Sequence, residues 1–215
     1  ALDHNRPPQA EQFRAWAWSS IAHGGDAHFV FRWRTCLSGQ EQELQGMLEH
    51  SGRPRHRYQA VKACFTEIEG LREELADLPL PEAPVALVQD YNVLWGYEAS
   101  RVGADVNYPG LIGRLHREFY DRHVAVDVIP PERDLGGYRL VVLPSLMMIA
   151  ADFAKRLTRF VREGGTVLAV GQIGLRDFAD NYLDTPGPEH LRDLLGVTIE
   201  GGMYLASHVG PDEAL

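Results

Sequence analysis

Apolar residues recur at helical spacing in two segments of the first 80 residues. In residues 10–25, AEQFRAWAWSSIAHGG, the pattern runs up to two glycines and predicts a helix that ends there; its apolar positions are Phe13, Trp16, Ala17 and Ile21. Residues 56–78 repeat the pattern over a longer stretch and predict a single amphipathic helix, with apolar residues at Tyr58, Val61, Cys64, Phe65, Ile68, Leu71, Leu75 and Leu78.

Between these helices the pattern changes to alternation. In residues 27–34, AHFVFRWR, the aromatic residues Phe29, Phe31 and Trp33 take every second position. Because successive side chains of a strand point to opposite faces, this alternation predicts a β-strand with the three aromatic rings on one face. A turn of small residues and a carboxylate, in TCLSGQEQ, follow the strand directly.

Beyond a proline-rich stretch, apolar strands alternate with helices. The three prolines within residues 79–84 exclude a helix and predict an extended linker. Strands are predicted in VALVQDY, VAVDVIP, YRLVVLPS and TVLAVG, and helices in YPGLIGRLHREFYDRH and ADFAKRLTRFVREGG. Strands that are apolar throughout and separated by helices are typical of a parallel sheet covered on both faces. This pattern therefore predicts a doubly wound α/β domain over residues 85–215.

Composition and charge exclude several partners. The 215 residues are 45% hydrophobic and 24% charged, which is typical of a globular protein, and the net charge is −9. Lysine and arginine are scattered, so the chain lacks the basic patch with which proteins neutralise phosphates. We expect no nucleic acid and no membrane as partners, since no apolar stretch reaches the length of a membrane span.

Cysteine and histidine usage predicts neither a disulfide framework nor a metal site. Cys36 and Cys64 lie far apart and form no CxxC motif, and none of the nine histidines belongs to an H-E-x-x-H motif. The sequence predicts no metal and no cofactor. Two isolated cysteines suit a reducing cytoplasm, so a cytoplasmic location is expected.

The first half has the pattern of a barrel's last portion. A helix, a strand, a loop and a helix make about one and a half βα units, too little to close a (β/α)8 barrel. The segment RAWAWSSIAHGGDAHFVFRWRTCLSGQEQ, followed by GMLEHSGRPRHRY, resembles the end of the catalytic barrel of family 42 glycoside hydrolases, the bacterial β-galactosidases. That family's pattern is an R-x-W-x-W helix, A-H-G, a strand ending F-R-W-R, then G-Q-E-Q, G-L-L and G-R-P.

The second half resembles the domain that follows the barrel in the same family. The similar segments are APVALVQDYNVLWGYE, GYRLVVLPSL and FVREGGTVLAVG. The resemblance implies a glutamine-amidotransferase-like (flavodoxin-like) α/β fold that carries most contacts of a homotrimer. It divides the chain into a barrel portion at residues 1–78, a linker at 79–84 and a trimerisation domain at 85–215 that is truncated at its C-terminus.

The resemblance also implies an activity for the parent protein. Family members hydrolyse terminal non-reducing β-D-galactose residues with retention, and retaining enzymes use two carboxylates about 5 to 5.5 Å apart. Alignment of the R-x-W-x-W helix places the nucleophile a few residues before Ala1, and the acid/base belongs to a mid-barrel strand. We therefore expect a β-galactosidase fragment that carries neither catalytic glutamate and is inactive alone.

Part of the sugar subsite is expected on this chain. By resemblance, Phe31 forms an apolar wall for galactose and Glu41 accepts hydrogen bonds from sugar hydroxyls, a combination that suits a sugar chemically. The family usually has E-Q-Y-H here, and Leu44 stands where the histidine would be. Without the resemblance, Phe31 and Trp33 would be interpreted as barrel core and Glu41 as a solvated loop carboxylate.

Two alternatives concern the α/β half. Amidotransferases place a nucleophilic cysteine on a sharp turn after a strand. The matching turn here, TVLAVGQIG, has Gly171 and Gln172 and contains no cysteine or serine. This favours a non-catalytic ligand-binding or assembly module. A nucleotide-binding flavodoxin-like module is the other alternative, although the glycines lack the full G-x-G-x-x-G pattern. Asp90, Tyr91 and Asn92 follow the first strand, where they would line a ligand crevice or face a neighbouring barrel.

Overall fold

The computed structural model describes residues 8–76, 78–79, 82–100 and 107–200. The chain divides into two compact units, the first ending at Leu80 and the second beginning at Pro81. The division falls within the proline-rich stretch.

Two helices form the core of the first unit. Helix α1 (Ala10–Ala22) packs against helix α2 (His56–Gly70), and Arg14 Nε donates to Glu67 Oε2 at 2.7 Å across the pair. The buried core residues are Phe13, Ala17, Val61 and Cys64. The end of α1 is as predicted, because the Gly25 amide turns back to the Ser20 carbonyl at 2.8 Å.

The prediction of one helix over residues 56–78 is wrong. Helix α2 ends at Gly70, and a short helix α3 (Arg72–Ala76) follows it. At the break, the Leu71 amide donates to Ile68, three residues back, instead of continuing the i to i−4 pattern. Glycine is a weak helix former, so apolar spacing that continues past Gly70 does not keep the helix intact.

The prediction of a regular strand over residues 27–34 is also wrong. The segment forms only an isolated parallel bridge between Arg34 and Leu48. The three aromatic rings are exposed, Phe29 by 90%, Phe31 by 72% and Trp33 by 60%. A strand requires a hydrogen-bonded neighbour, and within the described residues only positions 32–35 find one.

The second unit contains a parallel sheet, as predicted. Its strands are β1 (Val85–Val88), β2 (Val126–Ile129), β3 (Leu140–Pro144) and β4 (Thr166–Val170), in the order β2-β1-β3-β4. The central strand β1 is buried at every position, whereas Asp127 and Val128 of edge strand β2 are exposed. The apolar pattern of the sequence therefore describes the central strands better than the edges.

Helices cover this sheet. Helix α4 (Tyr91–Ala99) and helix α5 (Tyr108–Tyr120) connect β1 to β2, helix α6 (Ala151–Arg162) connects β3 to β4, and helix α7 (Arg192–Leu195) follows. The two connections step in opposite directions along the sheet, so right-handed crossovers place their helices on opposite faces. In helix α5, Ile112 is buried, whereas Tyr120 is 61% exposed.

Candidate functional site

Residues 32–35 run beside residues 46–48 in the first unit. The Met47 amide donates to the Arg32 carbonyl and the Leu48 amide to the Trp33 carbonyl, both at 2.8 Å, and the Thr35 amide donates to the Leu48 carbonyl at 3.0 Å. These bonds fix the backbone that carries Phe31 and Arg32. The loop between the two stretches contains a short 3₁₀ helix, Gln40–Glu43.

A single guanidinium contacts both residues that the sequence analysis assigns to the sugar. Arg32 Nη2 donates to Glu41 Oε2 at 2.7 Å. The same guanidinium carbon lies 4.9 Å from the centroid of the Phe31 ring. Arg32 Nη1 also donates to the sulfur of Cys36, a half-buried free thiol. Phe31 and Glu41 therefore belong to one cluster although they are separated by ten positions.

Exposure differs within this cluster, which we call the Arg32 cluster and define as Phe31, Arg32, Cys36 and Glu41. The Glu41 side chain is 51% exposed and the Arg32 side chain 20%. The Phe31 ring is among the exposed aromatic groups described above. The arrangement presents an aromatic ring and a carboxylate to solvent, with a more buried cation beside them.

The side chain of a second arginine, Arg34, bonds to the backbone of His50, which in turn contacts the same loop. Arg34 Nη2 donates to the His50 carbonyl, and His50 Nε2 lies in hydrogen-bonding distance of the Gln42 carbonyl, each at 2.8 Å. Gln42 belongs to the 3₁₀ helix that carries Glu41. The sequence analysis assigned no role to Arg32 or Arg34, and no local pattern identifies them, because Arg32 and Glu41 are nine positions apart and Arg34 and His50 are sixteen positions apart.

Two further residues of this region are Leu44, in the loop, and Trp33, in the stretch before it. Leu44, at the place of the family histidine, is 36% exposed and offers only aliphatic surface. Trp33 packs edge to face against Tyr58 of α2, with ring centroids 6.1 Å apart, so helix α2 supports the segment that leads into the cluster.

In the second unit, Asp90, which follows β1, and Tyr108 are both buried. Asp90 is a helix cap: its Oδ1 accepts from the Asn92 amide at 2.8 Å, and its own amide donates to the Tyr108 hydroxyl at 3.4 Å. Burial raises the pKa of Tyr108 to about 12. Tyr91 is exposed and its ring centroid lies 6.1 Å from that of Trp95. The cap explains helix α4, which the sequence analysis missed.

The turn after β4 does not form a nucleophile site. Gly171 has φ of +76°, and a side chain there would collide with Ser145 Oγ. Ser145 Oγ in turn accepts from the Gln172 amide at 3.2 Å. Glycine is required at this turn by both its backbone conformation and its close neighbour.

No cluster of metal-ligating side chains was found among the residues that the structure describes. In the same residues, every helix is too short or too polar to cross a bilayer.

Comparison with known proteins identifies two family models. The model described as the β-galactosidase trimerisation domain matches residues 83–210, and the model described as β-galactosidase matches residues 2–71. A β-galactosidase of Halorubrum lacusprofundi is 40% identical over 209 residues, which cover 92% of this chain and 28% of that protein. A β-galactosidase of Thermus sp. is 37% identical over 155 residues, which cover 71% of this chain and 23% of that protein.

Solved structures of β-galactosidases also match this chain. The polyextremophilic β-galactosidase of H. lacusprofundi superimposes with a TM-score of 0.75 at 37% identity, covering 93% of this chain and 29% of that one. The β-galactosidase of Bacillus circulans sp. alkalophilus gives a TM-score of 0.81 at 26% identity, covering 96% and 31%. The chain thus spans less than a third of the length of these relatives.

Proposed function

The chain belongs to the family 42 glycoside hydrolases, the β-galactosidases, and from this premise we propose that it supplies part of a galactoside-binding surface and the assembly unit of a β-galactosidase. The parent protein would hydrolyse terminal non-reducing β-D-galactose residues with retention. Support comes from the two family models and from relatives named β-galactosidases that match most of this chain.

The Arg32 cluster carries the sugar-binding proposal. A galactoside has one apolar face of C–H groups and several hydroxyls, and it needs an aromatic surface beside a charged acceptor. Phe31 and Glu41 offer these two groups to solvent, joined by the same guanidinium. The proposed roles are an apolar wall for Phe31 and a hydroxyl acceptor for Glu41.

Assembly is the proposed role of the second unit. We assign it a glutamine-amidotransferase-like fold, which the parallel β2-β1-β3-β4 sheet supports, and we propose that it forms a homotrimer. A location in the cytoplasm is part of the same proposal. The alternative of a ligand-binding module is less favoured, because Asp90 and Tyr108 are buried in the crevice where such sheets bind ligands.

A titration of the isotope-labelled chain with methyl β-D-galactopyranoside tests the sugar proposal. We expect amide shifts at Phe31 and Glu41 but not in β2, and a weaker response to methyl β-D-glucopyranoside. A chromogenic β-galactoside should not be hydrolysed by the chain alone. Equal shifts with both sugars, or none, would contradict the galactoside site.

Light scattering tests the assembly proposal on the same sample. A trimer has about three times the 24.1 kDa mass of the chain. A monomer at all accessible concentrations would contradict a role of this chain in assembly.

A further inference from the structure

We propose that Arg32 is a positioning residue of the sugar site, which holds the Glu41 carboxylate and the Phe31 ring in the orientation that receives a galactoside. This inference rests on the proposed function, because it concerns the same site. It adds a residue that would not touch the sugar and would act through the two that do.

The contacts of one guanidinium account for the arrangement. An arginine offers donors in a rigid planar fork, so two of its nitrogens can hold two partners at a fixed angle. Nη2 of Arg32 holds Glu41 at 2.7 Å, and Nη1 holds the Cys36 sulfur. The carbon at the centre of the fork lies 4.9 Å from the Phe31 ring centroid, within the range of a cation–π contact.

Exposure assigns the roles within the cluster. Arg32 is the more buried member of the ion pair, with 20% of its side chain exposed against 51% for Glu41. Its Nη1 and Nη2 groups each donate to another member of the cluster. Glu41 meets Arg32 through Oε2, which leaves Oε1 as the oxygen that would accept from a sugar hydroxyl.

The alternative that the pair serves stability makes a different prediction. The Glu41 carboxylate of this ion pair is half exposed, so water screens the pair and it contributes little to the free energy of unfolding. Loss of the fixed orientation of the Glu41 carboxylate should lower the affinity for the sugar more than it lowers stability, because the ligand then has to order that side chain when it binds. We therefore expect changes at Arg32 to affect binding more than stability.

Arg34 provides a matched control. It lies two positions further along the same backbone, and its Nη2 donates to the His50 carbonyl and not to Glu41. A variant at Arg34 tests whether any loss of an arginine from this segment has the same consequence.

The experiment measures methyl β-D-galactopyranoside binding to the full chain by NMR titration, for the unmodified chain and for Arg32→Gln, Arg32→Lys, Arg34→Lys, Glu41→Gln and the Arg32→Gln/Glu41→Gln double variant. We expect Arg32→Gln to raise Kd about tenfold, Arg32→Lys to recover part of the loss, and Arg34→Lys to stay within about twofold of the unmodified chain. The melting temperature should be nearly unchanged.

The double variant separates positioning from other roles. If Arg32 acts largely through Glu41, the loss of affinity in the double variant should be smaller than the sum of the losses in Arg32→Gln and Glu41→Gln. Additive losses would overturn the inference, as would equal losses in the Arg32 and Arg34 variants.

A measurement without sugar keeps the inference independent of the proposed function. Amide and ring relaxation should show greater mobility at Phe31 and Glu41 in Arg32→Gln than in Arg34→Lys. Unchanged mobility overturns the positioning role, whether or not a sugar binds. Increased mobility in a chain that binds no galactoside would support the positioning role and count against the proposed sugar site alone.

Discussion

The Gly46 backbone amide donates to the hydroxyl of Thr35 at 2.9 Å, and this contact draws the two backbone stretches of the candidate site together. The Thr35 hydroxyl in turn donates to the Leu48 carbonyl at 3.1 Å, and only 2% of the Thr35 residue is exposed. One buried hydroxyl therefore serves as acceptor and donor across the pair. The close approach leaves no room for a side chain at position 46.

Replacement of Gly46 by alanine should destabilise the first unit. The added Cβ would lie 2.7 Å from the Arg34 carbonyl carbon and from the Thr35 nitrogen, which are backbone atoms that cannot rotate away. We expect a loss of about 1–3 kcal/mol in the free energy of unfolding, the usual effect of overpacking. Hydrogen exchange of the α1 and α2 amides during urea denaturation measures it.

Gly70→Ala is the matched control for this prediction. Apart from its chain neighbours and the backbone of its own helix, no described atom lies within 4 Å of its added Cβ, and Gly70 is the last residue of α2. Alanine is the better helix former, so this variant should be neutral or more stable by up to about 1 kcal/mol. Similar losses in both variants would argue against the close approach at Gly46.

Removal of the Phe31 ring should weaken sugar binding and leave stability unchanged. The ring is 72% exposed, so Phe31→Ala removes little buried surface. We expect at least a threefold rise in the Kd for methyl β-D-galactopyranoside, about the loss of one stacking contact. Phe29→Ala, at a ring that is 90% exposed, is the control and should leave Kd unchanged. Equal effects at both positions would contradict a specific role for Phe31.

Stability should fall at alkaline pH because of Tyr108. Burial raises the pKa of this hydroxyl from 10.0 to about 12, so the folded chain keeps the proton at pH values where the unfolded chain loses it. The contribution of protonated Tyr108 to the free energy of unfolding is therefore fully present below pH 10. It decreases by roughly 2–3 kcal/mol as the pH rises towards 12.

Tyr108→Phe tests the alkaline effect. This variant should lose about 1 kcal/mol at pH 7, because the Asp90 amide loses its acceptor, but its stability should decline less between pH 10 and pH 12. Denaturation curves at pH 8, 10 and 11.5 for both chains give the comparison. Parallel pH profiles would show that another group causes the alkaline loss.

Self-association should depend on the exposed aromatic pair of α4. Tyr91 is 61% and Trp95 60% exposed, and both lie within the range matched by the trimerisation-domain model. Burial of such rings between copies of the chain would be favourable. Trp95→Ala should shift light scattering towards the monomer. Tyr120→Ala, which removes a ring of similar exposure from α5, is the control; a trimer that survives Trp95→Ala would exclude this pair from the contact.

Features set by neighbouring positions in the sequence could be predicted, whereas features that need a partner far along the chain could not. Strands β1 to β4 and the end of α1 follow from apolar spacing and glycines, and the structure confirms them. Helix α4 was missed because its cap, Asp90, was interpreted as part of a ligand crevice. The strand predicted over residues 27–34 did not form along its length, because alternation gives a segment the capacity to pair but does not supply the neighbour.

The sequence by itself determined the family, the parallel α/β unit and the two residues proposed to meet the sugar. Motif order and apolar periodicity are properties of neighbouring positions, so they can be read along the chain. Only the tertiary structure decided that Arg32 contacts Glu41, that Thr35 contacts Gly46 and that the Tyr108 hydroxyl accepts from the Asp90 amide. These contacts cross loops, and the direction in which a loop returns depends on the packing of the whole unit and not on any short pattern of residues.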